Sequence, residues 1–463
     1  MFTKETYIQR RAQLKKTVGS GLLVFLGNGE SPMNYTDNTY RFRQDSSFLY
    51  YFGLDCAGLA AVINIDEDQE IVFGNELTID DIVWTGTMPT LAEMAAGYAV
   101  SRTMPLADLG GYIHSCQAKG QLIHFLPPYR GEHQVWLQEL LGISPAEQAA
   151  KASLPFIKAI VDQRNHKTAE EIEEIEKAVD ISTEMHLTAY RMVRPGVHEA
   201  EIAAAVEQVA SQGGETLSFP TIATVQGQVL HNHGFIHTLK DGDIFLLDAG
   251  AESKLHYSGD LSSSMPVGER FDERQEIIYN IHLASFQAAV DTLAPGVPFR
   301  KAHIAAATKI CEGMKELGLM KGDPAEAANI GAYALFFPCG LGHMMGLDVH
   351  DMENLGEQYV GYTGGEQKSK QFGFKSLRLA RPLEEGFVFT VEPGIYLVPE
   401  LIDKWHAEKQ FMDFINYDKL DPWRGFTGLR NELDYVITKD GARVLGTKKK
   451  PMTIEEVYKA KNI

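Results

Sequence analysis

VRPGVHEAEIAAAVEQVA (Val193–Ala210) and LAPGVPFRKAHIAAATKI (Leu293–Ile310) decide how the second part of this chain is read. Each sets Pro-Gly-Val ahead of a segment whose apolar residues recur at helical spacing, and the two prolines stand at 195 and 295. A recurrence at that separation is too wide for a stacked short-period repeat and points to a duplicated half-domain. Chance reuse of common helix-start residues is the competing explanation. Strands rich in β-branched and aromatic residues are expected after each helix, giving sheets backed by paired helices.

Working outward, KTAEEIEEIEKAVDISTEMHLTAYRMV (Lys167–Val193) is a long amphipathic helix with its acids placed early, where the helix dipole favours them. The texture changes just before it, so a domain boundary is expected between Ala150 and Ala169: residues 1–155 as an N-terminal α/β domain and 156–463 as the second domain. In the first, GLLVFLG (Gly21–Gly27) and AAVINI (Ala60–Ile65) read as buried strands. QEIVFGN (Gln69–Asn75) reads as a hairpin partner, and QLIHFLPP (Gln121–Pro128) as a strand stopped by prolines.

With 463 residues, 44% of them hydrophobic and 23% charged, the chain has material for two domains with real cores. A net charge of −19 argues against a nucleic-acid partner, which requires a basic face. The N-terminal MFTKETYIQRRAQLKK has no apolar core for a signal peptide, and no run of about 18 apolar residues suggests a membrane span. The four cysteines (Cys56, Cys116, Cys311, Cys339) show no CxxC spacing, so a reducing, cytoplasmic setting is expected.

Five side chains stand where folding alone would not put them. Asp248 ends the apolar run DIFLLDAG, Asp260 follows in HYSGDLSSS on the returning strand, and Glu392 interrupts FVFTVEPGIYLV. Glu432 lies inside GLRNELDYVIT, and His343 sits among glycines in GLGHMMGLDVHD. A lone strand carboxylate is ordinarily a hydrogen-bonded core group. Four of them are harder to accommodate, since buried anions need cations, and Arg378, Arg381 and Arg430 look few and peripheral. Two divalent ions would neutralise the set. An oxygen-rich site with one imidazole favours manganese, iron or cobalt over a thiolate-type zinc site. Carboxylates that bridge ions about 3.5–4 Å apart give a hydrolytic pair.

The ordered segments FLLDAG, YSGDLS, GLGHMMGLDVHD, TVEPGIY and GLRNELDYVIT resemble the proline-specific metallopeptidases, prolidase (Xaa-Pro dipeptidase) and aminopeptidase P. YRFRQDSSFLYYFGL (Tyr40–Leu54) extends the resemblance to the N-terminal domain. The resemblance implies an α+β, pita-bread catalytic domain of two related halves, preceded by an α/β N-terminal domain of aminopeptidase P type. It implies two divalent metal ions, most simply Mn, with Co, Fe or Zn as alternatives. Asp248 would bind one metal and Asp260 bridge both; His343 and Glu392 would bind the second, with Glu432 bridging. A hydroxide shared by the metals would attack the scissile carbonyl, and Glu392 would shuttle the proton. His231, in VLHNHGF, and His350 match the family's substrate-side histidines; His233 and His237 compete with His231 for that role. Arg378, in LRLAR, matches an arginine that clamps the substrate carboxylate, and Arg430 is placed with the substrate-binding group or as an orienting residue behind it. The implied partners are small proline-containing peptides and, by analogy, further copies of the chain in a homodimer or homotetramer.

Three departures stand out. Cys339 occupies a position where the family commonly has histidine. Asp248 and Asp260 are one residue farther apart than is usual, which requires an extra residue in the turn around Glu252–Leu255. Asn431 and Leu433 flank Glu432 in place of the usual isoleucine and second acid, while Ser262 keeps the hydroxyl of the usual threonine. The SLRLAR segment and the insertion between TVEPGIY and GLRNE, carrying FMDFINYDKLDPWRGF, favour the dipeptidase over the aminopeptidase. A non-catalytic peptide-binding module on the same fold is the reading from another class, and the five filled ligand positions weigh against it.

Overall fold

The computed structural model describes residues 1–461 other than Gly214 and His233. Its contacts divide the chain into two compact units: Met1–Arg164 with Met352–Tyr359, and Asn165–Asp351 with Val360–Ile463.

The smaller unit is built on five strands, β1 (Leu22–Leu26), β2 (Ala60–Asn64), β3 (Gln69–Gly74), β4 (Arg102–Pro105) and β5 (Ile123–His124), in the order β4-β3-β2-β1-β5. β1, β2 and β3 pair antiparallel, while β4 and β5 join the two edges in parallel. The run LLVFL has both faces to bury. Leu22 and Val24 pack with Val62, Ile71, Phe73 and Ile113, and Phe25 on the opposite face meets Tyr51, Phe52 and Phe156 at ring separations of 5.3, 5.3 and 5.1 Å. Unbroken apolar runs of this kind belong to strands covered on both sides. The expected strand QLIHFLPP contributes only Ile123 and His124 to the sheet, and the prolines that follow lack the N–H a ladder needs.

The larger unit resolves the question raised by the two Pro-Gly-Val segments. Gly196 and Gly296 both adopt positive φ, 90° and 80°. Gly196 N–H donates to Leu239 O (2.9 Å), Leu239 N–H to Val197 O (2.8 Å) and Glu199 N–H to His237 O (3.0 Å). The second copy repeats each bond: Gly296 to Leu383 (2.7 Å), Leu383 to Val297 (3.0 Å) and Phe299 to Arg381 (3.0 Å). Three matched bonds with matched offsets are a duplicated substructure, and chance is no longer the explanation. Each turn joins a helix pair, Ala169–Met192 to Glu199–Ser211 and Glu273–Val290 to Phe299–Glu316.

The sheets of this unit comprise β6 (Thr216–Leu217), β7 (Ile222–Thr224), β8 (Ile244–Ala249), β9 (Ala251–Glu252) and β10 (Leu261–Pro266) after the first helix pair. The second set is β11 (Val388–Val391), β12 (Gly394–Tyr396), β13 (Gly428–Arg430), β14 (Leu433–Thr438) and β15 (Gly441–Val444). They form the ladders β10-β8-β7, β11-β14-β15, β12-β13 and β6-β9. Strands follow the helix pair in both copies, late in the second. After Phe299–Glu316 comes another helix, Pro324–Ile330, and the chain reaches β11 at Val388. Among the described residues no helix is long and apolar enough to cross a membrane.

Candidate metal centre

In the β8–β10 ladder Ser262 stands opposite Asp248. Asp260, two residues before Ser262, therefore faces the same side, because strand side chains alternate. Between the two aspartates the chain turns at Ser253–Tyr257, where Ser253 N–H donates to Tyr257 O (2.8 Å) and His256 takes φ 65°. Glu392 and Glu432 were expected within strands, yet each sits at a break: Glu392 between β11 and β12, Glu432 between β13 and β14. A break frees the side chain from strict alternation. His343 reaches the same place because Gly342 lies against β11, where an added Cβ would stand 2.0 Å from Thr390 O. His343 N–H then donates to Thr390 Oγ1 (3.2 Å), and His343 O accepts from Thr390 N–H (3.0 Å).

All five expected side chains converge on one cavity of about 550 Å³, lined also by His231, His350, Arg378, Arg430 and Cys339. One ligand atom each from Asp260, His343 and Glu432 lies within 4.8 Å of the others. His343 Nε2 is 3.4 Å from Asp260 Oδ2 and 3.6 Å from Glu392 Oε1. Its Nδ1–H donates to Met344 O (3.0 Å), which turns Nε2 toward the carboxylates. The His350 ring lies 3.9 Å from that of His343, centroid to centroid. His237 is not among the residues lining the cavity, and His233 lies outside the described residues.

The reading of Arg430 as peripheral is corrected. It is 4% exposed and donates to Asp248 Oδ2 through Nη2, to Tyr396 Oη through Nη1 (2.7 Å) and to Ser262 Oγ through Nε (2.9 Å). A guanidinium with three directed partners fixes the orientation of Asp248. Arg381 instead pairs with Glu384 at 2.8 Å and does not line the cavity.

Burial governs the electrostatics. It raises the carboxyl of Asp248 against the pull of Arg430, and that of Asp260 against its hydrogen bond with His343. Glu392 is likewise raised by burial, and Glu432 is pushed well above the carboxylate range by burial and then by Asp260. Burial acts to lower the His343 imidazole, but the Asp260 hydrogen bond and neighbouring anions leave it raised. Burial and mutual repulsion thus favour the protonated forms of these carboxyls. Glu432 Oε1 is buried with no hydrogen-bond partner among the described residues, while Oε2 accepts from Ser262 Oγ (2.8 Å). Acceptor oxygens converging on an orphaned carboxylate oxygen, with one imidazole, are a donor set suited to hard or borderline divalent ions.

Residues 173–439 match Metallopeptidase family M24, and residues 7–124 match Aminopeptidase P, N-terminal domain. The chain belongs to metallopeptidase family M24. Among relatives, it is 31% identical over 459 residues to the Homo sapiens Xaa-Pro dipeptidase, spanning 96% of this chain and 90% of that protein. It is 28% identical over 472 residues to a probable Xaa-Pro aminopeptidase of Emericella nidulans, spanning 98% and 97%. The structure of Pseudomonas aeruginosa aminopeptidase PepP superposes with a TM-score of 0.81 at 25% identity, covering 100% of this chain and 98% of that one. The α+β, pita-bread architecture with its N-terminal domain follows from these matches. As a metallopeptidase, this M24 member takes a divalent metal, and Asp260, His343 and Glu432 form a group able to hold one.

One residue of the centre escaped the sequence reading. Asp434 is wholly buried, and its Oδ2 accepts from Asp260 N–H at 3.1 Å. Burial pushes its carboxyl well up, and Asp260 adds to the push. The signal was present: Asp434 follows Glu432 by two in NELDY, on the same face of strand-like sequence.

Proposed function

We propose that this chain is a dinuclear-metal exopeptidase hydrolysing Xaa-Pro bonds, and specifically an Xaa-Pro dipeptidase. The observation that carries the reading is a Glu432 carboxylate with one unpartnered buried oxygen, grouped with Asp260 and His343 in a cavity that also presents Arg378. On this reading Asp248, Asp260, His343, Glu392 and Glu432 hold two ions, for which manganese is the proposed occupant. Bound there, the ions supply an acidified water and polarise the scissile carbonyl.

The remaining work falls to side chains of this protein. An Xaa-Pro bond is a tertiary amide, so its leaving group is the pyrrolidine nitrogen, which departs only when protonated. Glu392, raised by burial, takes the nucleophile's proton and passes it to that nitrogen. His231 and His350, both on the cavity wall, donate to the carbonyl oxygen as charge develops. Arg378 receives the free carboxylate of a C-terminal proline, the feature that separates a dipeptide from a longer substrate.

The alternative, an Xaa-Pro aminopeptidase taking longer peptides with proline second, is favoured by the likeness to aminopeptidase P structures. The identity to dipeptidases, 31% against 28%, favours the first. The assay is direct: purified protein with Mn²⁺ is given Ala-Pro or Ala-Pro-Pro. Release from Ala-Pro supports the dipeptidase, and release from the tripeptide alone supports the aminopeptidase. Bound metal with no hydrolysis of either would favour a peptide-binding role.

A cytoplasmic homodimer or homotetramer is part of the proposal. The self-association is argued from the helix Ile79–Thr85, none of whose residues is buried, with Ile79 at 75%, Val83 at 73% and Trp84 at 86% exposure. Trp84→Glu is expected to lower the mass seen by light scattering after gel filtration. An unchanged mass would remove this helix from any interface.

A further inference from the structure

Behind the carboxylates of the larger unit lies a buried amine that the reaction does not use. Lys450 follows β15 in the segment GTKKKP and is 3% exposed. Its Nζ donates to Ser262 O at 2.8 Å and to Ser263 Oγ at 3.2 Å. An amine withdrawn from water this far is retained only where its hydrogen bonds are worth the desolvation.

Its partners are the residues that set the ligand geometry. Ser262 O, which accepts from Lys450, also accepts Glu432 N–H at 3.1 Å. The hydroxyl of the same serine donates to Glu432 Oε2 (2.8 Å) and accepts from Arg430 Nε (2.9 Å). On the other side, Ser263 Oγ is 2.8 Å from His186 Nδ1, and His186 Nε2 is 3.0 Å from Ala249 O, the residue after Asp248. Burial pushes the His186 imidazole down to about 3, so the ring is neutral. The hydrogen bonds then have one consistent direction: Lys450 donates to Ser263, Ser263 to His186 Nδ1, and His186 Nε2–H to Ala249 O. A single amine thus ties β10 to the backbone on both of its sides, next to Asp248 in one direction and at Glu432 in the other.

We propose that Lys450 is a positioning residue of the metal centre, holding Ser262 and through it the Glu432 carboxylate in place to accept a divalent cation. This rests on the metallopeptidase reading and adds to it a residue far from the ligand motifs. Groups that orient metal ligands from behind commonly change metal affinity ten- to a hundredfold when removed.

The test is calorimetric titration of Mn²⁺ into metal-free protein at 25 °C, with melting followed separately. Lys450→Met, of similar length but without donor or charge, is expected to raise the Kd for Mn²⁺ about 10- to 100-fold. Ser263→Ala, which removes one acceptor and leaves the bond to Ser262 O, should shift it in the same direction by less. An unchanged Kd in a folded Lys450→Met protein overturns the role, even if melting falls, because a merely structural lysine would move only the melting. A tighter Kd overturns it as well, since the amine would then act as a competing cation. Should Lys450→Met fail to fold, Ser263→Ala decides, and a wild-type Kd there counts against the proposal. Wild-type protein that takes up no Mn²⁺ would instead sink the metal reading itself, and this role with it.

Discussion

In the first half of the larger unit, Gly196, Val197 and Glu199 exchange three backbone hydrogen bonds with His237 and Leu239; in the second, Gly296, Val297 and Phe299 exchange the same three with Arg381 and Leu383. The carboxylates of the two halves do not match in this way. Asp248 is held by Arg430, a guanidinium that comes from the other half of the sequence, while Glu432 keeps a buried oxygen without a partner among the described residues. Backbone groups take partners that the local geometry of the turn supplies, so the duplicated turn is the same twice. Charge is satisfied only where the halves meet, so the site is a property of the pair. The halves share a scaffold and divide the chemistry.

Breaking that division at the Asp260 carboxylate should give the largest effect. Asp260→Asn replaces the carboxylate that lies against His343, on a residue whose backbone N–H donates to Asp434 Oδ2. Turnover of Ala-Pro is expected to fall by on the order of a thousandfold or more, with Mn²⁺ content by elemental analysis dropping alongside. Full turnover would show that Asp260 does not bridge. His350→Ala comes next. Its ring lies against His343 but faces the cavity, so kcat should fall by about 100- to 1000-fold while the metal content stays at the wild-type level. A wild-type rate would reduce His350 to a packing residue.

The comparison also explains what could be read from sequence. The Pro-Gly-Val echo was legible because a positive-φ glycine and a helix start leave a fixed residue pattern. The four carboxylates stood out because anions in apolar runs are costly and therefore rare, and the structure gathers them with His343 on one cavity. For Arg430 the orienting role expected from the resemblance agrees with its contact to Asp248, while its burial has no local mark in GLRNEL; its three partners, Asp248, Ser262 and Tyr396, are all distant in sequence. Asp434 was passed over beside a more conspicuous glutamate. Glu392 and Glu432 were assigned to strands, although the breaks that free them depend on pairing partners that no local pattern specifies.

A smaller effect tests the charge side of the division without touching a residue. Asp248, Asp260, Glu392 and Glu432 all have carboxyl groups raised in the folded protein. A raised folded value means that their contribution to stability is fullest below the ordinary range near pH 4 and is lost as the pH climbs through the raised values. Mn²⁺ replaces those protons, so the stabilisation it gives should grow with pH. At a hundredfold excess over Kd the gain is about 2.7 kcal/mol, a melting shift of several degrees. Scans at pH 5 and pH 8, with and without Mn²⁺, should show the larger shift at pH 8. Equal shifts would mean that the carboxylates were already ionised without metal.

The smallest effect probes the shared scaffold. An alanine Cβ at Gly196 or Gly296 would meet nothing within 4 Å, so each substitution isolates the strain of a positive φ. That strain is roughly 1–2 kcal/mol for an L-residue, or about 2–8 °C in melting temperature for a unit of this size. Because the two turns make the same bonds at nearly the same φ, Gly196→Ala and Gly296→Ala should lower melting by similar amounts, with Mn²⁺ affinity unchanged in both. If one substitution were silent and the other severe, the turns would be alike in geometry but not in load. The metal-bearing halves would then lean on one helix pair more than the other, and the equivalence drawn from six hydrogen bonds would be one of ancestry rather than mechanics.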